Sequence, residues 1–429
     1  MACRIRKNTR DELFSSSADD RSRAVEILTD FLHALTDLPF LAKHRKKETD
    51  FTRTRRLPFL RLILFSLISF GNNQVREALE MIEEAGHEDL SVPPVTPSAL
   101  CQALKKLPHA VFIEANRILC ALFRKIVPLW TWRGFRLCAI DGSRIDLPRS
   151  RKIAEAFVPG VDASLPGTPN ARLSTLLDVG NALVLDARLS SCQTGERELA
   201  LLHLDCLGEG DLLLTDRGYP SFELFSKIRE REAHFCVRMP ASWSSVQDFL
   251  SSGDKDRITR IGTVTPLPVR LLRLSHAGAE MVVITSLLDR DLYPAEAFSD
   301  LYHQRWCIEE GYKELKGPLH LEGFSGRSEE AIRRELHARI LTQNLISVLA
   351  FPSLRALQKR AGKKLPVGKT QGYKPNRAAL AFFLKKGLRF FFDPAVSLSE
   401  LVDGIFRRLF SWVSAVCPGR SFPRRTRAG

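Results

Sequence analysis

Residues 302–316 read Tyr-His-Gln-Arg-Trp-Cys-Ile-Glu-Glu-Gly-Tyr-Lys-Glu-Leu-Lys, and this spacing places a tyrosine, an arginine, a carboxylate and a lysine on one stripe of a helix. With about 100° per residue and Tyr302 as zero, Arg305 falls at about −60°, Glu309 at about −20° and Lys316 at about −40°. The adjacent Glu310, at about 80°, points elsewhere. A helix that aims one carboxylate and two cations from a single face suits a divalent metal held beside phosphate oxygens, which also need positive charge around them. Glu309 could instead form a surface ion pair with Arg305 or Lys313, four residues to either side, but that leaves the stripe unexplained.

The charge balance points the same way. Sixty-four Lys and Arg against forty-nine Asp and Glu give +15 and a pI of about 9.6, which favours a polyanionic partner over an acidic small molecule. An excess kept for solubility is the alternative. Its distribution argues against that: from Leu336 to Phe392 there are twelve Lys or Arg and no acid, and from Ile405 to the end six more and no acid. One-signed segments are not a mixed solvated surface. The basic runs Lys359–Lys374 and Arg420–Arg427 are expected on DNA backbone or as solvated tails. The nine cysteines show no Cys-x2-Cys and no paired Cys/His cluster, which argues against a zinc site and a disulfide framework and favours mostly buried thiols in a reducing cytoplasm. The N-terminus has basic residues but no apolar secretion segment. The greasy run Leu57–Phe70 contains Arg61 and is too short for a membrane span.

At 429 residues the chain exceeds one ordinary domain. Residues 1–130 read as a helical domain, with apolar periodicity through Ala24–Phe40, Leu57–Phe70 and Val75–Ala85. A further helix starts with Thr96 as its cap and Pro97 in its first position. Its Gln102, Lys105 and Lys106 could face a DNA groove or be a plain exposed surface.

From Phe135 the period changes to that of strands. Phe135–Ile140 is expected to end at Asp141, Arg172–Leu177 and Ala182–Leu189 to form a hairpin, Gly195–Leu204 a helix, Asp211–Thr215 a strand, Ser221–Arg231 a helix and His234–Met239 a strand. That order is the order of an RNase H-like fold, in which the first and fourth strands are neighbours and would bring Asp141 and Asp216 together. Glu309 lies seventy residues past Met239. The Val-, Ile-, Thr- and Leu-rich stretch between them is expected to be an inserted β-rich subdomain. Ala338–Ala350 reads as an apolar core helix.

The spacing Tyr-x2-Arg-x3-Glu-x6-Lys, with Ala139-Ile140-Asp141-Gly142-Ser143 and Thr215-Asp216-Arg217-Gly218-Tyr219, resembles the signature of IS4-type DDE transposases of bacterial insertion sequences. The resemblance implies a metal-binding catalytic triad of Asp141, Asp216 and Glu309, with Tyr302, Arg305 and Lys316 positioning DNA phosphates. It implies two Mg²⁺ ions, which Mn²⁺ could replace, about 3.5–4 Å apart. A structural turn aspartate is the bland alternative at 141 and at 216. Asp146, Asp178, Asp186 and Asp211 are set aside as rivals, Asp178 and Asp186 as turn or surface residues. Trp306, at about 40° on the wheel, is expected to pack.

The fold class is therefore mixed α/β, or α+β. A helical DNA-end-binding domain at 1–130 precedes an RNase H-like core at 131–240 and 290–350, with a β-rich insertion at 241–289 and a basic C-terminal region at 351–429. By resemblance such a protein binds terminal inverted repeats, cleaves element ends and joins 3′-hydroxyls to target DNA. It would act as a homodimer in the synaptic complex, in the bacterial cytoplasm at the nucleoid and away from membranes. The alternatives are an RNase H-like repair or resolution nuclease and a catalytically silent DNA-binding regulator.

Overall fold

Leu137, Cys138, Ala139 and Ile140 are all fully buried, as befits a strand covered on both faces. The computed structural model describes residues 2–3, 14–52, 57–68, 95–158, 168–263, 265–276, 279–360, 373–390, 397–409 and 413–415. The buried run lies in β1 (Arg136–Asp146). Beside it come β2 (Asn170–Asp178) and β3 (Leu183–Ser191), an antiparallel hairpin. On the other side β4 (Asp211–Thr215) and β5 (His234–Arg238) run parallel to β1. With β6 (Asp256–Ile261), β7 (Leu267–His276) and β8 (Ala279–Thr285) the order is β3-β2-β1-β4-β5-β8-β7-β6.

Successive residues of a strand face opposite sides, and the core divides accordingly. Leu137, Ala139, Leu212 and Leu214 join one apolar cluster, while Cys138, Ile140 and Leu213 join another. The chain therefore has a mixed α/β architecture with a sheet between two apolar layers.

The helices that matter for the site are α1 (Ala18–Thr36), α2 (Phe59–Ile68), α3 (Pro97–Lys106), α4 (Ala110–Ile126), α5 (Glu196–His203), α6 (Phe222–Glu230), α7 (Ala297–His303), α8 (Cys307–Lys316) and α9 (Glu329–Arg360). The expected cap of α3 is present: Thr96 Oγ1 accepts from the Ala99 N–H at 3.2 Å, with Pro97 in the first turn. By length and composition α9 is apolar enough to cross a membrane, but 89% of its most apolar window is buried inside the fold. It is a core helix, and it contains the expected Ala338–Ala350.

Three readings change in the structure. β1 runs five residues past Asp141, because β2 pairs with it as far as Asp146↔Asn170. The segment read as an insertion does supply strands, and they extend the central sheet through β8 beside β5. Residues before 130 share a core with the rest: Ala24, Phe31, Phe59 and Leu119 lie in one cluster with Leu137, Leu341 and Leu345. A buried amide junction fastens α4, β3 and α9. Asn344 Nδ2 donates to Asn116 Oδ1 at 2.7 Å and to Val184 O at 2.8 Å, and the Val184 N–H donates back to Asn344 Oδ1 at 2.8 Å. Such a network is favourable because its members find partners out of water. The expected helix Val75–Ala85 lies outside the described residues.

Candidate active site

β1 and β4 pair in parallel only from Arg136↔Asp211 to Ala139↔Leu214. Carried two residues further, that register sets Asp141 opposite Asp216, where the strands part. Each carboxylate accepts the backbone N–H of the next residue, Gly142 N to Asp141 Oδ1 at 2.8 Å and Arg217 N to Asp216 Oδ1 at 2.7 Å. The two aspartates thus share one local geometry at the mouth of a fork in the sheet.

The stripe of the 302–316 segment faces this fork, although a 3₁₀ turn at Gln304–Trp306 separates α7 from α8. Tyr302 is buried and its hydroxyl donates to Thr215 O at 3.3 Å, the carbonyl just before Asp216. Tyr312, ten residues on, donates to Asp141 O at 2.8 Å while accepting from Thr175 Oγ1 at 3.0 Å. Two tyrosines thus fasten the helical segment to the backbones carrying the two aspartates. Arg305 is buried between two acids, Nη1 at 3.8 Å from Asp141 Oδ2 and Nη2 at 3.6 Å from Glu309 Oε1. Lys316 Nζ donates to Arg144 O at 2.7 Å and lies 3.7 Å from Glu322. It lines an open polar groove with Asp146, Thr168, His320 and Arg327.

The side chains of Asp141, Asp216 and Glu309 are 26%, 37% and 50% exposed, so all three acids reach solvent from a buried frame. Burial raises the Asp141 carboxyl above its ordinary pKa. The Gly142 N–H and Arg305 oppose the rise, and Glu309 and Asp216 add to it. Bonding is unfinished around it: Arg305 Nε, Thr215 Oγ1 and the Tyr219 hydroxyl are buried without a hydrogen-bond partner.

Among the described residues no three His, Cys, Asp or Glu side chains already form a metal-holding group. Three carboxylates without a cation repel one another, and Arg305 stands between two of them. The donor set fits a metal all the same. It is all oxygen, half open to water and offers few protein ligands, which suits Mg²⁺ or Mn²⁺ rather than a softer ion.

Other expected residues lie elsewhere. Gln102, Lys105 and Lys106 are exposed on α3, away from the acids in sequence and element, and Lys106 Nζ pairs with Asp50 at 3.1 Å. Trp306 is 52% exposed beside His303 instead of packed. Asp178 and Asp186 are buried, not surface residues, because Asn181 and His203 bond them. Asp211 forms a two-bond pair with Arg136. Of the described free cysteines only Cys138 and Cys236 are buried. Arg420–Arg427 and most of Lys359–Lys374 lie outside the described residues.

A family model for the transposase DDE domain matches residues 132–345. That span holds Asp141, Asp216 and Glu309. Over 314 residues the chain is 25% identical to the transposase InsG for insertion sequence element IS4 of Escherichia coli (strain K12), covering 68% of this chain and 70% of that one. The chain belongs to the IS4-type DDE transposases. DNA transposition is accordingly its function. The transposase is also 27% identical over 265 residues to the putative transposase y4zB of Sinorhizobium fredii (strain NBRC 101917 / NGR234), covering 58% of this chain and 70% of that one. A solved piggyBac transposase synaptic complex with hairpin DNA aligns over 94% of this chain and 87% of that one at TM-score 0.41 and 11% identity, too distant to bear on the site.

Sequence reasoning left Tyr312 without a role. The signal was present, since ten residues past Tyr302 it falls at about −80°, on the same stripe. Its acceptor, a carbonyl on β1, was not visible.

Proposed function

We propose that this transposase binds the terminal inverted repeats of its element, cleaves at the ends and transfers the 3′-hydroxyls to target DNA at a site built from Asp141, Asp216 and Glu309. The observation that carries this reading is Arg305, a buried cation within 4 Å of Asp141 and Glu309, with Asp216 close enough to Asp141 for its charge to raise the Asp141 carboxyl. The order β1-β2-β3-α5-β4-α6-β5, with one short helix, Arg151–Phe157, added between β1 and β2, supports an RNase H-like core.

Asp141, Asp216 and Glu309 would hold two Mg²⁺ ions, with Mn²⁺ as a substitute. When bound, the metal pair activates the attacking oxygen and stabilises the leaving one. The chain's own groups do the positioning. The N–H bonds from Gly142 and Arg217 fix the two aspartates, and Tyr302 on α7 and Tyr312 on α8 hold the helical segment that carries Glu309. Arg305 offers an unfinished guanidinium to phosphate, and Lys316 reaches the groove beside it.

Exposed Gln102, Lys105 and Lys106 are proposed to touch DNA on the 1–130 side, and the basic residues after 351 to follow its backbone. Synapsis of two ends calls for a homodimer, acting at the nucleoid in the cytoplasm. The test uses the full-length protein with DNA carrying an element end. Asp141→Asn, Asp216→Asn and Glu309→Gln should each slow cleavage by roughly a thousandfold, the several kcal/mol a bound metal contributes, with end binding retained in a metal-free gel shift. Wild-type nicking by any one variant removes that residue from the site.

A further inference from the structure

A fourth carboxylate stands in the same fork. Glu196 opens α5, and its oxygens lie against the two glycines that follow the catalytic aspartates. A Cβ on Gly142 would sit 3.4 Å from Glu196 Oε1, and one on Gly218 would sit 3.5 Å from Glu196 Oε2. Glycine at both places leaves a narrow slot between the Asp141 and Asp216 turns, with Glu196 as its far wall. The Glu196 side chain is 43% exposed, and its one ion-pair partner among the described residues is Arg172, at 3.9 Å. Arg172 Nη1 is already committed to Thr194 O at 2.8 Å.

A second, independent observation points into the slot. The Tyr219 hydroxyl is buried, has no hydrogen-bond partner, and lies 3.7 Å from that same Cβ position on Gly142. A buried phenol O–H without an acceptor is rare in folded proteins unless water or a ligand supplies one. Burial first, then the charges of Asp141 and Glu196, push its pKa up, so it remains a donor. It faces acids and whatever binds among them.

The helix that presents Glu196 is fixed at both ends. Arg197 Nε donates to Gly218 O at 3.0 Å, tying its first turn to the Asp216 turn. At its last residue, His203 lies 2.9 Å from Ser174 Oγ on β2 and 2.8 Å from Asp186 Oδ2 on β3. Such bracing suits a group that must be in place before its ligand arrives. A glutamate in a first helical turn is also favoured by the helix dipole alone, and that is the alternative to defeat.

We propose that Glu196 is a fourth acidic member of the active site, lending its carboxylate to the cation position served by Asp141 and Asp216, with the Tyr219 hydroxyl as a neighbouring donor. This rests on the metal-site reading above. The test is Mn²⁺ binding by the full-length protein, followed by titration calorimetry and by the electron paramagnetic resonance of free Mn²⁺. Glu196→Gln should weaken binding about tenfold, the lower range for groups that support a metal site, with an unchanged unfolding midpoint in the absence of metal. Asp141→Asn serves as the reference and should weaken binding at least as much. If Asp141→Asn weakens Mn²⁺ binding and Glu196→Gln binds as wild type, Glu196 is only a favourable first-turn residue and the inference fails alone. If neither variant weakens binding, the metal-site reading fails and takes this inference with it.

Discussion

Two polar clusters sit side by side on β1 and β2, at the directly paired positions Gly142↔Ser174, and they behave as opposites. One is the fork of Asp141, Asp216, Glu309 and Arg305. The other is Ser174, His203 and Asp186, linked at 2.9 and 2.8 Å with the connectivity of a nucleophilic triad. All three of its members are buried, and Asp186 also accepts from Arg188 Nε at 2.6 Å. Burial pushes the Asp186 carboxyl up, but the His203 hydrogen bond and charge together with Arg188 outweigh it and hold the pKa below the ordinary value. At Asp141 burial wins and the pKa rises. Connectivity alone therefore does not mark a reactive site. What sets the fork apart is unfinished bonding with access to solvent.

The sharpest way to break this contrast is to cut the finished cluster. His203→Ala leaves two buried polar groups short of a partner and should cost about 3 kcal/mol of folding stability, read from urea unfolding. A loss below about 0.5 kcal/mol, the range of ordinary surface changes, would mean the cluster is not structural. Asp141→Asn should act with the opposite sign. It removes a charge that burial disfavours, so the metal-free protein should gain on the order of 1 kcal/mol while losing cleavage. Destabilisation would show that Arg305 needs Asp141 more than burial penalises it.

pH separates the two aspartates further. Asp186, depressed in the fold, contributes stability that is full above the unfolded carboxylate pKa of about 4 and is lost as pH falls through the lower folded value. The gap between wild type and Asp186→Asn should therefore hold from neutrality to about pH 5 and close below about pH 4. Asp141, raised in the fold, costs stability while ionised. The advantage of Asp141→Asn should be full above the folded pKa and vanish as pH falls to the unfolded one. The smallest effect expected is at the edge of the fork: Lys316→Ala should lower the slope of log affinity against log salt for end DNA by about one unit. An unchanged slope would leave Lys316 as a brace between α8 and β1.

The readable part of this protein was whatever local pattern determines. Asp211–Thr215 is a strand because its five residues, four of them apolar or β-branched, are buried on both faces, and Thr96-Pro97 starts a helix by local chemistry. The three acids were legible because a stripe and two strand-turn dipeptides carry them. What distant partners decide was hidden. β1 continues through Gly142, Ser143 and Arg144, which look like a loop until β2 lies beside them. Asp186 is drawn inside by a histidine seventeen residues away. The N-terminal helices share their core with α9, more than two hundred residues further on, through contacts such as Thr342 Oγ1 to Leu67 O. Glu196 meets the fork only because α5 folds back over two glycines of other turns.

After β5 the chain runs out to the far edge of the sheet through β6 and β7 before β8 returns antiparallel to β5, with Cys236 opposite Thr285. Departure and return are thus roughly 4.8 Å apart, one strand spacing. To the helix that follows, the length of that detour is invisible. Its outermost strand, β6, lies at the far rim of the sheet, five strands from the one that carries Asp141, so the detour can lengthen, shorten or be redecorated there and still hand Glu309 back to the same address, much as a bypass rejoins a road where it left.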